Sequence, residues 1–174
     1  MKKSIFMTVL GLSLFLVACS EKKDQPATDT TTTAPAEDTP PVAEPSAAVS
    51  NAISLTGDDK MKYSQTEFTV KSGEPVELTM KNIGTLPAAS MSHDVVVLKP
   101  GSDVTAFGQE VSKIQGDIEK LPENLKSQIV AKTKVLGPGE EDKISFTLPS
   151  PGEYPFLCSF PGHFGAMNGK ITAQ

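Results

Sequence analysis

Cysteine and histidine are scarce in this chain: 174 residues contain two of each. Cys19 sits directly behind an N-terminal apolar run and Cys158 near the opposite end, so the pattern of a disulfide-stapled domain is missing. A basic segment is missing too. Residues 1–18 carry +2, residues 19–50 carry −4 (six acidic, two basic) and residues 51–174 carry −3 (fifteen acidic, twelve basic), which sums to −5. Nucleic acid is therefore excluded as a partner class. No internal repeat is visible. The apolar run from Ile5 to Ala18 has fourteen residues, interrupted by Thr8, Gly11 and Ser13, short of the roughly 20 that a spanning helix requires.

What the N-terminus does contain is MKKSIFMTVLGLSLFLVACS, two lysines followed by an apolar run that ends in small residues. This is the pattern of a secretory signal. Leu16-Val17-Ala18-Cys19 resembles the lipobox of bacterial lipoproteins, which implies removal of residues 1–18 and acylation of Cys19. More than one acyl chain makes such an attachment stable, at about 0.8 kcal/mol per buried methylene. Ser20, rather than aspartate, follows the cysteine and leans towards the outer membrane. The expectation is a lipid-anchored protein of the cell envelope, on the outer membrane and facing the periplasm or the cell surface. If Cys19 carries lipid, Cys158 is the one thiol left, in a compartment where thiols normally pair.

Residues 19–50 hold the lipidated end and a stretch rich in Pro, Ala, Thr, Asp and Glu, with no aromatic residue. Such a composition cannot offset its own ordering entropy, and it reads as an extended tether. Residues 51–174 are one domain of ordinary size. Alternating patterns at Thr66–Lys71, Pro75–Asn82, Asp94–Lys99, Asp142–Leu148, Glu153–Cys158 and Gly169–Ala173 predict short strands separated by Gly/Pro breakers. Ala52–Leu55, Lys60–Ser64 and Ala131–Leu136 add to them. Between Ser102 and Ile114, Val104, Phe107, Val111 and Ile114 recur at helical spacing behind Ser102 or Asp103 as N-cap. Gly108 weakens that helix by roughly 1 kcal/mol. The fold class is all-β, a sandwich with one inserted helical segment.

The chemistry concentrates in CSFPGHFGAM, Cys158 to Met167. Phe160-Pro161-Gly162 forces a tight turn that returns His163 towards Cys158, since proline restricts one φ and glycine frees another. Met167 completes the pattern C-x4-H-x3-M. The other histidine, His93, precedes a strong strand, and an antiparallel neighbour could place it beside the Cys158 loop. Two imidazoles, one thiolate and a thioether form the ligand set of a blue-copper centre. A buried core turn and a nucleophile and base pair are the alternatives at this point.

Residues 51–174 resemble the cupredoxins, and among them the azurins, in Gly57–Val70 (GDDKMKYSQTEFTV), Leu86–Asp94 (LPAASMSHD), Ala131–Phe146 and Cys158–Thr172 (CSFPGHFGAMNGKIT). The resemblance implies a Greek-key sandwich and one type 1 copper held by His93, Cys158 and His163, with Met167 as a long axial contact. It also implies a backbone carbonyl approach at Ser92, where azurins have glycine, and a tie between the ligand loops at Asp94, where they have asparagine. Met61, Leu86, Met91, Phe160 and Pro161 would form the apolar docking patch, extended by Phe164. The non-ligand histidines common in azurins are replaced by Asn82 and Lys132. The implied activity is one-electron transfer without catalysis, between redox proteins such as c-type cytochromes or a terminal reductase or oxidase.

Copper storage or delivery is the rival function. A Cys-His hydrolase is disfavoured, because a five-residue loop spacing is poor for in-line base activation. Copper nitrite reductase needs more histidines than the chain contains, and a thioether donor is unsuited to zinc.

Overall fold

The computed structural model describes residues 48–174. The expected signal, the acylated Cys19 and the tether up to residue 47 lie outside the described residues.

Among the described residues, eight strands form two sheets. The smaller has the order β1 (Ala52–Gly57), β3 (Pro75–Asn82), β6 (Glu141–Thr147). The larger runs β2 (Glu67–Val70), β8 (Asn168–Ala173), β7 (Gly152–Leu157), β4 (Val96–Leu98), β5 (Ile129–Lys132). β1 pairs with β3 and β2 with β8 in parallel, while the other pairings are antiparallel. Successive strands therefore cross repeatedly from sheet to sheet, which is the expected Greek-key sandwich.

Alternation decides what faces inward. In β3, Val76, Leu78, Met80 and Asn82 are buried while their neighbours are not. The three apolar ones meet Ile53 and Leu55 of β1 and Tyr154 and Phe156 of β7 in the main core. β4 departs from alternation, because all three of its residues are buried. Val95 and Val97 face the main core, and Val96 and Leu98 face a second cluster with Phe107, Val111, Ile118 and Leu121. A strand covered on both faces has no reason to alternate, which explains the unbroken apolar run VVVL.

The cover on the outer face is α2 (Val104–Lys113), the inserted helix. Asp103 is its N-cap, accepting from the Thr105 and Ala106 N–H groups at 2.9 and 3.0 Å, an arrangement typically worth about 1 kcal/mol. Two further helices of four residues each, α1 (Ala88–Met91) and α3 (Glu123–Lys126), and a 3₁₀ turn at Ile118–Lys120 were not predicted. Each is too short to show a period, and both helices start behind a proline, Pro87 and Pro122. The expected strand at Lys60–Ser64 is a turn. Asp58 Oδ1 takes the Lys60 and Lys62 N–H groups, Met61 has φ +55°, and Tyr63 alone makes a bridge, to Gly57.

Gly108, which weakens the helix on propensity alone, is buried where a methyl group would overlap the Phe164 ring. Gly108→Ala gains about 1 kcal/mol of helix propensity but forces a rigid ring out of place, a change that typically costs 1–3 kcal/mol. The variant is expected to be less stable by about 1 kcal/mol, and at most about 2, in urea unfolding; a stabilised variant would contradict this packing account.

Candidate metal centre

Strand register brings the expected ligands together. β4 lies antiparallel to β7 with Val96 opposite Leu157 and Val97 opposite Phe156. Continued beyond the strand ends, that register sets Asp94 opposite Ser159, and these two are bonded: the Ser159 N–H donates to Asp94 Oδ1 at 2.7 Å and the Ser159 hydroxyl to Oδ2 at 2.5 Å. His93 is tied on its other side by a two-way backbone bridge with Leu136, at 3.0 and 2.8 Å. The loop from Cys158 to Met167 closes on itself. The Cys158 N–H donates to the Met167 carbonyl (2.9 Å), His163 to Phe160 (3.0 Å) and Met167 to His163 (2.8 Å), with Gly162 at φ +84°.

In this frame one atom each of His93, Cys158 and His163 lies within 4.8 Å of the others. His163 Nδ1 is 3.3 Å from His93 Nδ1 and 3.8 Å from Cys158 Sγ. His93, Cys158 and Met167 are fully buried, and His163 keeps 4% of its surface exposed. His93 Nε2 is 3.0 Å from the Asp58 carbonyl. A carbonyl only accepts, so Nε2 carries the proton and Nδ1 presents its lone pair to the cluster.

These donors fit a copper ion. A lone pair on His93 Nδ1 faces a second imidazole nitrogen and a sulfur in a dry site, and no side-chain cation among the described residues belongs to the cluster. Two nitrogens and one sulfur form the strong donor set of blue-copper sites. Burial is the largest cause holding both imidazoles below the ordinary histidine value; for His163 the His93 ring adds to it, and for His93 the Asp58 carbonyl works against it. Both rings are thus neutral at pH 7, as ligands must be. Burial first, then the Asp94 charge, pushes the Cys158 thiol well up, whereas the backbone N–H groups of Asp94 and Phe160 point at its sulfur and favour the thiolate. Burial likewise raises Asp94, against the Ser159 bonds that lower it.

The other expected residues distribute as follows. The Ser92 hydroxyl is turned to the Ala88 carbonyl at 2.8 Å. Met61 and Leu86 are exposed, and Met91, Phe160 and Pro161 are half-buried. The Phe160 ring lies 4.7 Å from that of His163. Phe164 is half-buried as well, and its ring packs into the α2 cluster against Gly108. Asn82 is fully buried, donating to the Met91 and Leu136 carbonyls at 2.9 Å and accepting from Gly84. Lys132 pairs at the surface with Glu119 at 3.3 Å.

Sequence reasoning missed Asp58, Asp59, Tyr63 and Ser159 as supports. Asp58 acts through a carbonyl, which every residue has. Asp59 is different, because an acidic residue in a polar turn carries no sign of its distant partners. Its carboxylate accepts from Thr85 and Leu86 and so joins the loops that bear Met61 and Leu86.

A two-sheet sandwich holding one thiol and two imidazoles at the end of neighbouring strands defines a cupredoxin. The family model described as "Copper binding proteins, plastocyanin/azurin family" matches residues 49–174, and the chain belongs to that family. Its cofactor is copper. Outer membrane protein H.8 of Neisseria meningitidis serogroup B is 35% identical over 124 residues, which are 70% of this chain and 66% of that protein, so the chain spans just under two thirds of its length. Azurin of Alcaligenes faecalis is 34% identical over 125 residues, 68% of this chain and 94% of that protein. Among solved structures, dithionite-reduced auracyanin of Roseiflexus castenholzii has TM-score 0.60 and 34% identity, covering 73% of this chain and 99% of that one. Auracyanin A of Chloroflexus aurantiacus, described as a "blue" copper protein, has TM-score 0.62 and 25% identity, covering 71% and 98%.

The Thr85 and Leu86 N–H groups, with Thr85 the larger influence, hold Asp59 below its ordinary value of 3.8. A depressed carboxyl stabilises above its unfolded pKa and loses that contribution as the pH falls through its folded pKa. Amide exchange at Thr85 and Leu86, corrected for intrinsic rates, is expected to accelerate only below pH 3.8. Asp59→Ala should show the fast exchange already at pH 7; slow exchange in that variant would remove Asp59 as the clamp.

Proposed function

We propose that the protein is a single-electron carrier with one type 1 copper, anchored in the cell envelope by an N-terminal lipid. The observation that carries this reading is the buried convergence of His93, Cys158 and His163, three donor groups within 4.8 Å. His93 and His163 would bind through Nδ1 and Cys158 through Sγ. Met167, buried on the same loop, would be the weaker thioether donor, and the Ser92 carbonyl a still weaker oxygen donor. Bound there, copper supplies a one-electron Cu(II)/Cu(I) couple.

The chain's own contribution is rigidity and access. Asp58 orients the His93 ring, the Asp94–Ser159 pair joins the two ligand segments, and the loop bonds hold Cys158, His163 and Met167 at fixed separations. Donors that keep their places in both oxidation states leave little to reorganise, which favours fast exchange; N–H groups on the sulfur adjust the potential. His163 is the one of the three that keeps some exposed surface, 4%, so electrons would pass at its edge. Met61, Leu86, Met91, Phe160 and Pro161 would dock partners such as a c-type cytochrome or a terminal reductase or oxidase, as exposed apolar patches often do. The proposal is for a carrier rather than an enzyme.

Residues 1–18 would be a lipoprotein signal, Cys19 the lipidated residue, 19–50 the tether and 51–174 the cupredoxin domain. β1 begins near the start of the described residues and ends at Gly57, where a Cβ would meet the His93 ring at 2.9 Å. The tether would thus join the domain at the end of β1 away from the centre. The relation to outer membrane protein H.8 supports an outer-membrane location facing the periplasm or cell surface.

Cupric ion added to the full chain is expected to give an intense blue thiolate-to-copper band that Cys158→Ser abolishes; a colourless wild type would end the proposal. Rapid surrender of the metal to a competing chelator would favour storage or delivery instead. Met91→Glu is expected to keep the band but slow electron exchange with a c-type cytochrome by on the order of tenfold, because a charge pressed into an apolar contact costs at least the ~1.4 kcal/mol of one decade. An unchanged rate would remove the patch from the docking account.

A further inference from the structure

The turn between β1 and β2 touches the metal centre twice. Its first hold is the Asp58 carbonyl on His93 Nε2; its second is Tyr63, whose hydroxyl donates to the Asp94 carbonyl at 2.5 Å. The turn is closed by bonds from Met61 N–H to the Asp58 carbonyl (3.1 Å), Asp58 N–H to Lys62 (3.2 Å) and Ser64 N–H to Thr56 (2.9 Å). One stiff turn therefore grips two consecutive residues, a proposed ligand and its neighbour.

Asp94 is buried and all its polar groups are engaged. Ser159 occupies both carboxylate oxygens, the Asp94 N–H faces the Cys158 sulfur, and Tyr63 occupies the carbonyl. On the far side of the Asp94–Val95 peptide, the Val95 N–H donates to Thr133 Oγ1 at 2.9 Å. The named β4 pairings begin at Val96, so the Asp94 carbonyl lies beyond the sheet ladder and has no strand partner. A phenyl ring could fill the same core space beside Phe156, whose centroid is 5.6 Å away. The hydroxyl is what a filler would not need.

We infer that Tyr63 is a positioning residue of the metal centre: its hydroxyl locks the Asp94 backbone so that the Asp94 N–H stays on the Cys158 sulfur and the carboxylate stays on Ser159. This rests on Cys158 and His93 being ligands, as proposed above. Loss of the hydroxyl loosens the N–H···S contact, leaves more electron density on the sulfur and favours the cupric over the cuprous state.

Tyr63→Phe in the full chain tests this, with Tyr154→Phe as comparison, since Tyr154 donates an equivalent bond to Ser150 at 2.9 Å. Without metal, the Asp94 and Ser159 amides of Tyr63→Phe are expected to exchange about tenfold faster, and those of Tyr154→Phe at the wild-type rate. With copper bound, Tyr63→Phe should hold the cuprous form about tenfold less well relative to the cupric form. Its potential should fall by about the 59 mV that a tenfold change between one-electron states represents, while Tyr154→Phe loses stability alone. Equal behaviour of the two variants in exchange and potential would overturn the inference. Faster exchange in Tyr63→Phe with no copper bound by either variant or by wild type would uphold the brace and sink the copper reading. Should Tyr63→Phe not fold, 3-fluorotyrosine incorporated in the Tyr154→Phe background labels position 63 alone, as the chain has two tyrosines; this stronger donor must raise the potential, and an unmoved potential would overturn the inference.

Discussion

Antiparallel pairing of β4 with β7 governs the position of everything at the metal centre. With Val96 opposite Leu157, the chain enters β4 just after His93 and Asp94 and leaves β7 for the Cys158–Met167 loop at the same end of the sheet. Two segments more than sixty residues apart in sequence meet there, and Asp94 and Ser159 bond across the gap at 2.7 Å. A slip of one residue would turn every side chain of β4 to its opposite face. Val95 and Val97 would then leave the main core and exchange places with Val96 and Leu98, which face α2. The register of the site is thus enforced by apolar burial on both sides of one three-residue strand.

Burial of polar groups follows the same geography. Among the described residues the buried polar side chains are Asn82, Ser92, His93, Asp94, Thr133, Ser159 and His163. Nearly all of them hold the metal centre or the backbone next to it: Asn82 through the Met91 and Leu136 carbonyls, Thr133 through the Val95 N–H, Ser159 through Asp94. Buried polar atoms are costly unless paired, and no buried side-chain nitrogen or oxygen among the described residues lacks a partner. The pairing makes the arrangement stiff, because moving any one donor strands another group in a dry interior. A centre that must serve two oxidation states with little rearrangement benefits from that stiffness.

Insulation and access are divided between opposite sides of the ligand loop. α2 and the short helical turns after it cover the outer face of β4 and β7, with Phe164 wedged into the space that Gly108 leaves open. On the other side His163 reaches the surface beside Phe160. Asp59 meanwhile ties together the loops carrying the exposed Met61 and Leu86. Packing thereby leaves one edge of one imidazole open.

Much of this was legible in the residues themselves. Alternation marked five strands closely, with β3 at the same bounds, Pro75–Asn82; the apolar run VVVL marked β4, and the helical period marked α2, with Asp103 one of two candidate caps. The rarity of cysteine and histidine singled out Cys158, His163 and His93, and local turn chemistry indicated that the first two converge. These features are local or compositional, so a linear reading reaches them. What needed the third dimension was every relation between distant segments. Nothing near Tyr63 announces that its hydroxyl ends on the Asp94 carbonyl, and nothing near Asp58 that its own carbonyl selects the His93 tautomer. Nor does anything near Phe164 announce that its ring packs into the α2 cluster against Gly108. Local sequence sets which groups are available and how the chain turns beside them; which group meets which across the sandwich depends on strand register and sheet packing, and those are properties of the folded chain as a whole.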